Sequence, residues 1–167
     1  VMMLLLLFPY EAYSSDTHQR ILSNGISKKT AKIIERISNK VSQLKTYDAE
    51  FNEVTARGII VKVPEKSGRE IAKKLREKLK GLSENAYFYD DSYGYDKDEI
   101  AVVPTRNDIE YLKIVRTDGA NYGLSPEDIL SKYKEWNEKY QLELFGAGRD
   151  WIEARVKAKG VNWKEFA

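Results

Sequence analysis

Residues 57–103 read RGIIVKVPEKSGREIAKKLREKLKGLSENAYFYDDSYGYDKDEIAVV, and the fold is decided by where this stretch is punctuated. Residues 57–63 are a short β-branched run ended by Pro64, which reads as a strand. Residues 67–80 place Ile71, Leu75 and Leu79 on one stripe with Gly81 as a stop, which reads as an amphipathic helix. Residues 85–90 and 98–103 are two further strands, and Pro104 closes the second. Gly94 between them is a turn former, so the pair makes a hairpin. Residues 107–115 follow as a short helix, with Ile109, Leu112 and Val115 facing inward and Asn107 as its cap. The resulting β-α-β-β-α order is that of a split βαβ, ferredoxin-like unit. The expected class is α+β: an antiparallel or mixed sheet with helices on one face and an N-terminal amphipathic helix over an edge or the second face.

Downstream, the turn TDGANYG (117–123) leads into a helix with strong start signals. Ser125 is its cap, Pro126 sits in its first turn, and Asp128 completes an S-x-x-D capping box. Ile129, Leu130, Tyr133, Trp136 and Tyr140 form the face expected to be buried. Residues 142–145 read as a strand, Gly146-Ala147-Gly148 as a turn, and 151–156 as a last strand. In that strand Ile152, Ala154 and Val156 alternate with Glu153 and Arg155, giving one buried and one wet face. Residues 162–167 begin a helix.

Upstream, residues 27–45 carry Ile33, Ile34, Ile37, Val41 and Leu44 at helical spacing, with Ser27 as cap. They read as one amphipathic helix, followed by a polar linker over 46–53. The chain opens VMMLLLLFPYEAYSSD, and its apolar run is far too short to span a bilayer. It reads either as the remnant of a secretory signal cut near Ala12-Tyr13-Ser14 or as an apolar segment packed on the core. The first reading makes the protein exported, the second cytoplasmic. No Lys or Arg precedes the run, which counts against a signal. The domains expected are 1–14 as this segment, 15–53 as N-terminal helix and linker, and 54–167 as the α+β domain.

Composition narrows the chemistry. Hydrophobic residues make up 42% of the 167 residues, enough for a globular core. With 28 Lys+Arg against 26 Asp+Glu the chain is nearly neutral. Bases and acids alternate along the helices, so no basic stripe of a nucleic-acid binder forms and no nucleic-acid partner is expected. There is no cysteine, which removes thiolate catalysis, disulfides and Cys-ligated metals. The one histidine, His18, lies outside the α+β domain, so a catalytic triad or multi-His metal site would have to use that single residue or borrow from a partner. No cofactor is expected.

The stretch RTDGANYGLSPEDILSKYKEW followed by LELFGAGRDWIEARV resembles the bacterial family known only as domain of unknown function 4253. The family pattern is a T-[DN]-G-x-N-Y turn, a helix with a late Trp, a G-A-x-x-D-W turn and a helix with F-A. Here these are Thr117, Asp118, Gly119, Asn121 and Tyr122; Trp136; Gly146, Ala147, Asp150 and Trp151; and Phe166 and Ala167. The resemblance extends over about residues 54–167. Members continue into a segment with C-P-D and D-Q-G motifs, and this sequence ends before it; the expectation is either a fragment or a member that has lost the tail, with the domain incomplete at its C-terminus. The family implies no activity, so no catalytic role carries over.

Two turns, one around Asp118 and Asn121 and one around Asp150, are candidates to meet at one end of the sheet. Asp118, Gly119, Asn121, Tyr122, Asp150 and Trp151 would then offer carboxylates, an amide, a phenol and an indole beside exposed backbone, which suits a ligand or partner site. Arg106 and Asp108 are candidates to join it. Each residue also has a plain structural reading: positive φ at the glycines, backbone satisfaction by Asn121, capping by Asp150. The acidic run Asp90, Asp91, Asp96, Asp98, Glu99 lacks calcium-loop spacing and reads as a solvated hairpin end. Gly146-Ala147-Gly148 is not a dinucleotide fingerprint. Tyr87, Tyr89, Tyr93 and Tyr95 suit either a protein contact or cross-strand packing. The leading reading is a non-enzymatic domain binding a protein or small molecule. The competing one is a hydrolase-like or metal-dependent enzyme using Asp118, Asp150 and Glu153.

Overall fold

The computed structural model of the chain describes residues 10–92 and 94–161. Strand β2 (Glu53–Val63), helix α3 (Gly68–Lys78), strand β3 (Asn85–Asp90) and strand β4 (Asp98–Val103) form the split βαβ unit. β4 lies between β2 and β3 and is antiparallel to both. α3 is held at its start by Asp98, whose carboxylate accepts from the Gly68 amide at 2.8 Å. Asp98 is buried, so one member of the acidic run is a helix cap from across the sheet. Another, Glu99, pairs with Lys62 on β2 at 2.9 Å.

After β4 come α4 (Asp108–Val115) and α5 (Pro126–Tyr140), then β5 (Leu142–Ala147) and β6 (Ile152–Val156). Asn107 caps α4 by accepting from the Glu110 amide, and Ser125 with Asp128 forms the full capping box of α5. β5 adds to β3 in parallel, and β6 pairs antiparallel with β5. The sheet is therefore mixed and six-stranded, in the order β1-β2-β4-β3-β5-β6, where β1 is Val41–Tyr47. The class is α+β, with five α-helices among the described residues.

The N-terminal third departs most from the sequence reading. The single helix expected over 27–45 is α2 (Lys28–Glu35) followed by β1. Val41 and Leu44 fit helical spacing, but they are buried against the sheet as strand residues. The chain turns at Ser38, whose hydroxyl donates to the Lys62 carbonyl at 2.7 Å and accepts from the Lys40 amide. The expected linker over 46–53 is the tight end of the β1–β2 hairpin. The Asp48 carboxylate accepts there from the Glu50 and Asn52 amides, both at 2.9 Å. A helix not read from the sequence, α1 (Tyr10–Ser23), precedes α2. His18 on α1 meets Glu35 on α2 at 2.8 Å, a contact that joins the two helices. The residues expected as a signal remnant or apolar segment fall largely on 1–9, and those expected as a final helix on 162–167. Both lie outside the described residues.

The helices divide between both faces. Ile21 of α1, Ile34 of α2 and Leu75 of α3 pack on Ile59, Val61, Ile100 and Val102. Tyr111, Leu112 and Val115 of α4 and Tyr133 of α5 pack on Leu44, Ile60, Tyr87, Ala101, Val103 and Leu144. β4 explains the division: Ile100 and Val102 point one way, Ala101 and Val103 the other, and all four are buried. A strand apolar on both faces needs cover on both.

Candidate functional site

Helix α4 ends at Arg116, which adopts the left-handed conformation at φ 53°. The chain then reverses toward the β5–β6 turn. The Thr117 hydroxyl donates to the Gly148 carbonyl at 2.7 Å, and the Asp118 amide donates to the Arg149 carbonyl at 2.9 Å. These two bonds bring the Asp118 turn and the Asp150 turn together. The loop from Asp118 closes on itself. Gly119 and Leu124 exchange amide-to-carbonyl bonds at 3.0 and 3.1 Å, and the Asp118 carboxylate accepts from the Ala120 amide at 3.1 Å. Tyr122 is left at the tip, 86% exposed.

The second turn is shaped around Trp151. Gly146 and Ala147, expected in a turn, are the last residues of β5. A Cβ on Gly146 would lie 2.4 Å from the Phe88 carbonyl oxygen, and one on Gly148 2.3 Å from the Trp151 indole nitrogen. Only glycine leaves room for the indole, which lies 5.7 Å from the Phe88 ring in the α1–α3 core. The glycines therefore serve close packing, and Trp151 has a structural role as well as a position at the site.

Between α5, β6 and these turns lies a groove of about 760 Å³. Ile152, Ala154 and Val156 of β6 line it together with Ile129, Tyr133 and Trp136 of α5. The alternation that predicted a buried face of β6 is real, but that face is only half buried and forms the wall of an open groove. Ile129 and Trp136, expected in the buried face of α5, are likewise half buried. Asp118, Gly119, Tyr122, Asp150 and Trp151 border the groove; Asn121 does not. Arg106 is elsewhere, donating to the Leu79 and Glu84 carbonyls at 2.9 Å each.

Asp108 stands behind the groove wall, with a role the sequence reading missed. Its carboxylate accepts from the Tyr87 hydroxyl at 2.9 Å, the Leu144 amide at 3.0 Å and the Tyr133 hydroxyl at 3.4 Å. One side chain thus ties the start of α4 to β3, β5 and α5. Tyr87 also stacks on Tyr111 at 3.8 Å, and the Tyr111 hydroxyl donates to the Ala147 carbonyl at 2.8 Å. Burial, and then the Asp108 charge, push the Tyr87 and Tyr133 hydroxyls well above the usual phenol range. Burial raises Tyr111 as well. The sequence marks Asp108 only as a candidate to join the two turns, and the meeting of three elements shows its use as a tie between them. Of the hairpin tyrosines, Tyr87 is core, Tyr89 is half buried, Tyr95 is 93% exposed, and Tyr93 lies outside the described residues.

Asp118, Asp150 and Glu153 do not converge as the enzyme reading requires. Glu153 alternates to the other face of β6 from Ile152 and Ala154, and its carboxylate is ion-paired with Arg69 of α3. Among the described residues no three His, Cys, Asp or Glu side chains are grouped to hold a metal ion. No helix among them is long and apolar enough to cross a membrane.

Residues 99–166 match the family model of DUF4253, a domain of unknown function. This is the resemblance carried by the TDGANY and GAGRDW motifs. The match begins in β4 and takes in α4, the 118–124 turn, α5, β5 and β6. Every element that borders the groove is therefore inside the DUF4253 match, while α1, α2, β1, β2 and most of the split βαβ unit precede it. No curated protein and no solved structure matches the chain.

Proposed function

We propose that this protein is a non-enzymatic binding domain whose ligand or partner docks in the groove beside β6. The observation that carries the reading is the open apolar face of β6, patterned like core and left uncovered by α5. An apolar concavity with a few polar groups at one end is how small ligands and peptide side chains are usually taken. The charged residues lining the groove are Asp118, Asp128, Asp150 and Lys132; Asp128 is taken up in the α5 capping box and Lys132 pairs with Glu135, which leaves the Asp118 and Asp150 carboxylates beside the two turns. The occupant that fits is an apolar body carrying a cationic head, with the body on Ile152, Ala154 and Trp136 and the head toward Asp150. No observation favours the metal-dependent alternative, since Glu153 is engaged by Arg69.

The test compares alkylammonium compounds with alcohols and carboxylates of the same chain length, by thermal shift on the wild type and the Asp150→Ala variant. The cationic series should raise Tm most, and Asp150→Ala should weaken its binding about two- to fivefold with the circular dichroism spectrum unchanged. Equal response to the three head groups, or full binding by Asp150→Ala, would remove the assignment. A pull-down from cell lysate with both baits extends the test to protein partners: capture by the wild type alone is the expected result.

A further inference from the structure

The sheet has two edges, β1 and β6. They are finished differently. β1 is flanked by α1, and the Arg20 guanidinium of that helix donates to the Val41 carbonyl at 3.1 Å. It also pairs irregularly with β2, with a register shift between Gln43 and Lys45. The outer edge of β6 pairs with nothing among the described residues. β6 contains no proline, no glycine and no bulge of its own; the extra residue at its pairing with β5, Phe145, is on β5. An uncovered regular edge is a template for another strand.

The direction of its backbone groups follows from one hydrogen bond. Lys157 donates its amide inward, to the Gln141 carbonyl at 3.0 Å. Backbone groups alternate sides along a strand, so those of Val156, Ala154 and Ile152 point outward. The residue order of β6, Ile-Glu-Ala-Arg-Val, is chemically self-complementary when read against itself in reverse. With a two-fold axis at Ala154, Ile152 stands opposite Val156 of a second copy, and Ala154 opposite Ala154. Glu153 stands opposite Arg155, and Arg155 opposite Glu153. Opposite charges directly across an antiparallel pair stabilise it, and an isologous contact requires this self-matching.

We propose that β6 pairs antiparallel with β6 of a second copy of this chain, centred on Ala154, joining two sheets edge to edge. A two-fold axis normal to the sheet keeps the α4–α5 side of both copies on the same side. The two β6 groove faces then form one continuous apolar floor, walled by α5 from each copy, so each copy completes the other's groove. Two strands of five residues bury less than the roughly 1,200 Å² of a stable interface. The dimer is therefore weak and concentration-dependent. Arg69 holds Glu153 through one carboxylate oxygen, and the pairing asks the other oxygen to meet Arg155. This dimer stands independently of what the groove binds.

Sedimentation velocity across the micromolar range tests it. The wild type should shift from the 19.3 kDa monomer toward twice that mass. Glu153→Arg sets like charges opposite each other twice, and so does Arg155→Glu. Each should raise the dissociation constant about tenfold. Mixing the two variants sets opposite charges across the pair again and should restore association as a heterodimer, a result no folding defect can mimic. Ala154→Pro removes an outward amide without touching the β5–β6 ladder and should give a folded monomer. A wild type that stays monomeric throughout overturns the proposal. So does self-association of the single variants at wild-type strength, or a mixture that stays monomeric.

Discussion

On the α1–α3 face, Ile59, Val61, Ile100 and Val102 meet Ile34 and Leu75, and all six side chains are fully buried. On the α4–α5 face the largest buried side chains are tyrosines, each with a hydroxyl that must be satisfied, and the cover stops short of β6. The first face is closed mainly by apolar packing, with the Asp98 cap on α3 and the Arg20 bond to β1 beside it. The second is held by directed bonds converging on Asp108 and Ala147, and directed bonds can position α5 without laying it over the last strand. A face built that way can stay open at one end and still be rigid where it is bonded.

Alkaline titration should separate the two faces by the largest effect. The Tyr87, Tyr111 and Tyr133 hydroxyls are raised in the folded protein, by burial first. Their protonated forms are favoured in the native state. The associated stability is therefore fully present below the unfolded value of 10.0 and is lost as pH rises above it. The loss should be about 1.4 kcal/mol per pH unit for each tyrosine. Tyrosinate absorbance should rise together with unfolding. If these three ionise while the fold persists, the tyrosine face is looser than described.

Core truncation sets the two faces side by side. Leu75→Ala should cost about 2–5 kcal/mol in urea unfolding. Ile152→Ala removes a half-buried groove residue and should cost about 1 kcal/mol or less. Equal costs would mean that the β6 face is core after all. A further substitution tests the bonds: Asp108→Ala leaves the Tyr87 hydroxyl and the Leu144 amide without their acceptor, at roughly 1–3 kcal/mol. Asp108→Asn, which keeps an acceptor oxygen, should cost less. If Asp108→Ala is neutral, α5 is held by packing and the contrast between the faces weakens.

The reading of the sequence was sharpest where neighbours in sequence decide the structure. β3 and β4 lie at the expected residues, because each is a short apolar run between turn formers. The capping box at Ser125 and Asp128 is equally local, since a helix start needs only the side chains within its first turn. Val41 and Leu44 show the limit. They satisfy helical spacing and strand burial alike, and the sheet edge waiting at β2 settles the choice. Of the six residues expected at the site, five border one groove and Asn121 does not. Their convergence rests on the bond from Thr117 to Gly148, residues far apart in the chain.

What could be read from contiguous residues and composition were the strands and helices with local punctuation, the near-neutral charge, and a sequence with no cysteine and one histidine. Those are properties of composition and of contiguous residues. Tertiary structure alone decided that Asp108 serves three elements, that Gly146 and Gly148 make room for Trp151, and that an apolar face of β6 stays open beside α5. Each of these depends on which distant segment arrives at a given surface. An alternating apolar strand reads the same whether a helix covers it or stops beside it.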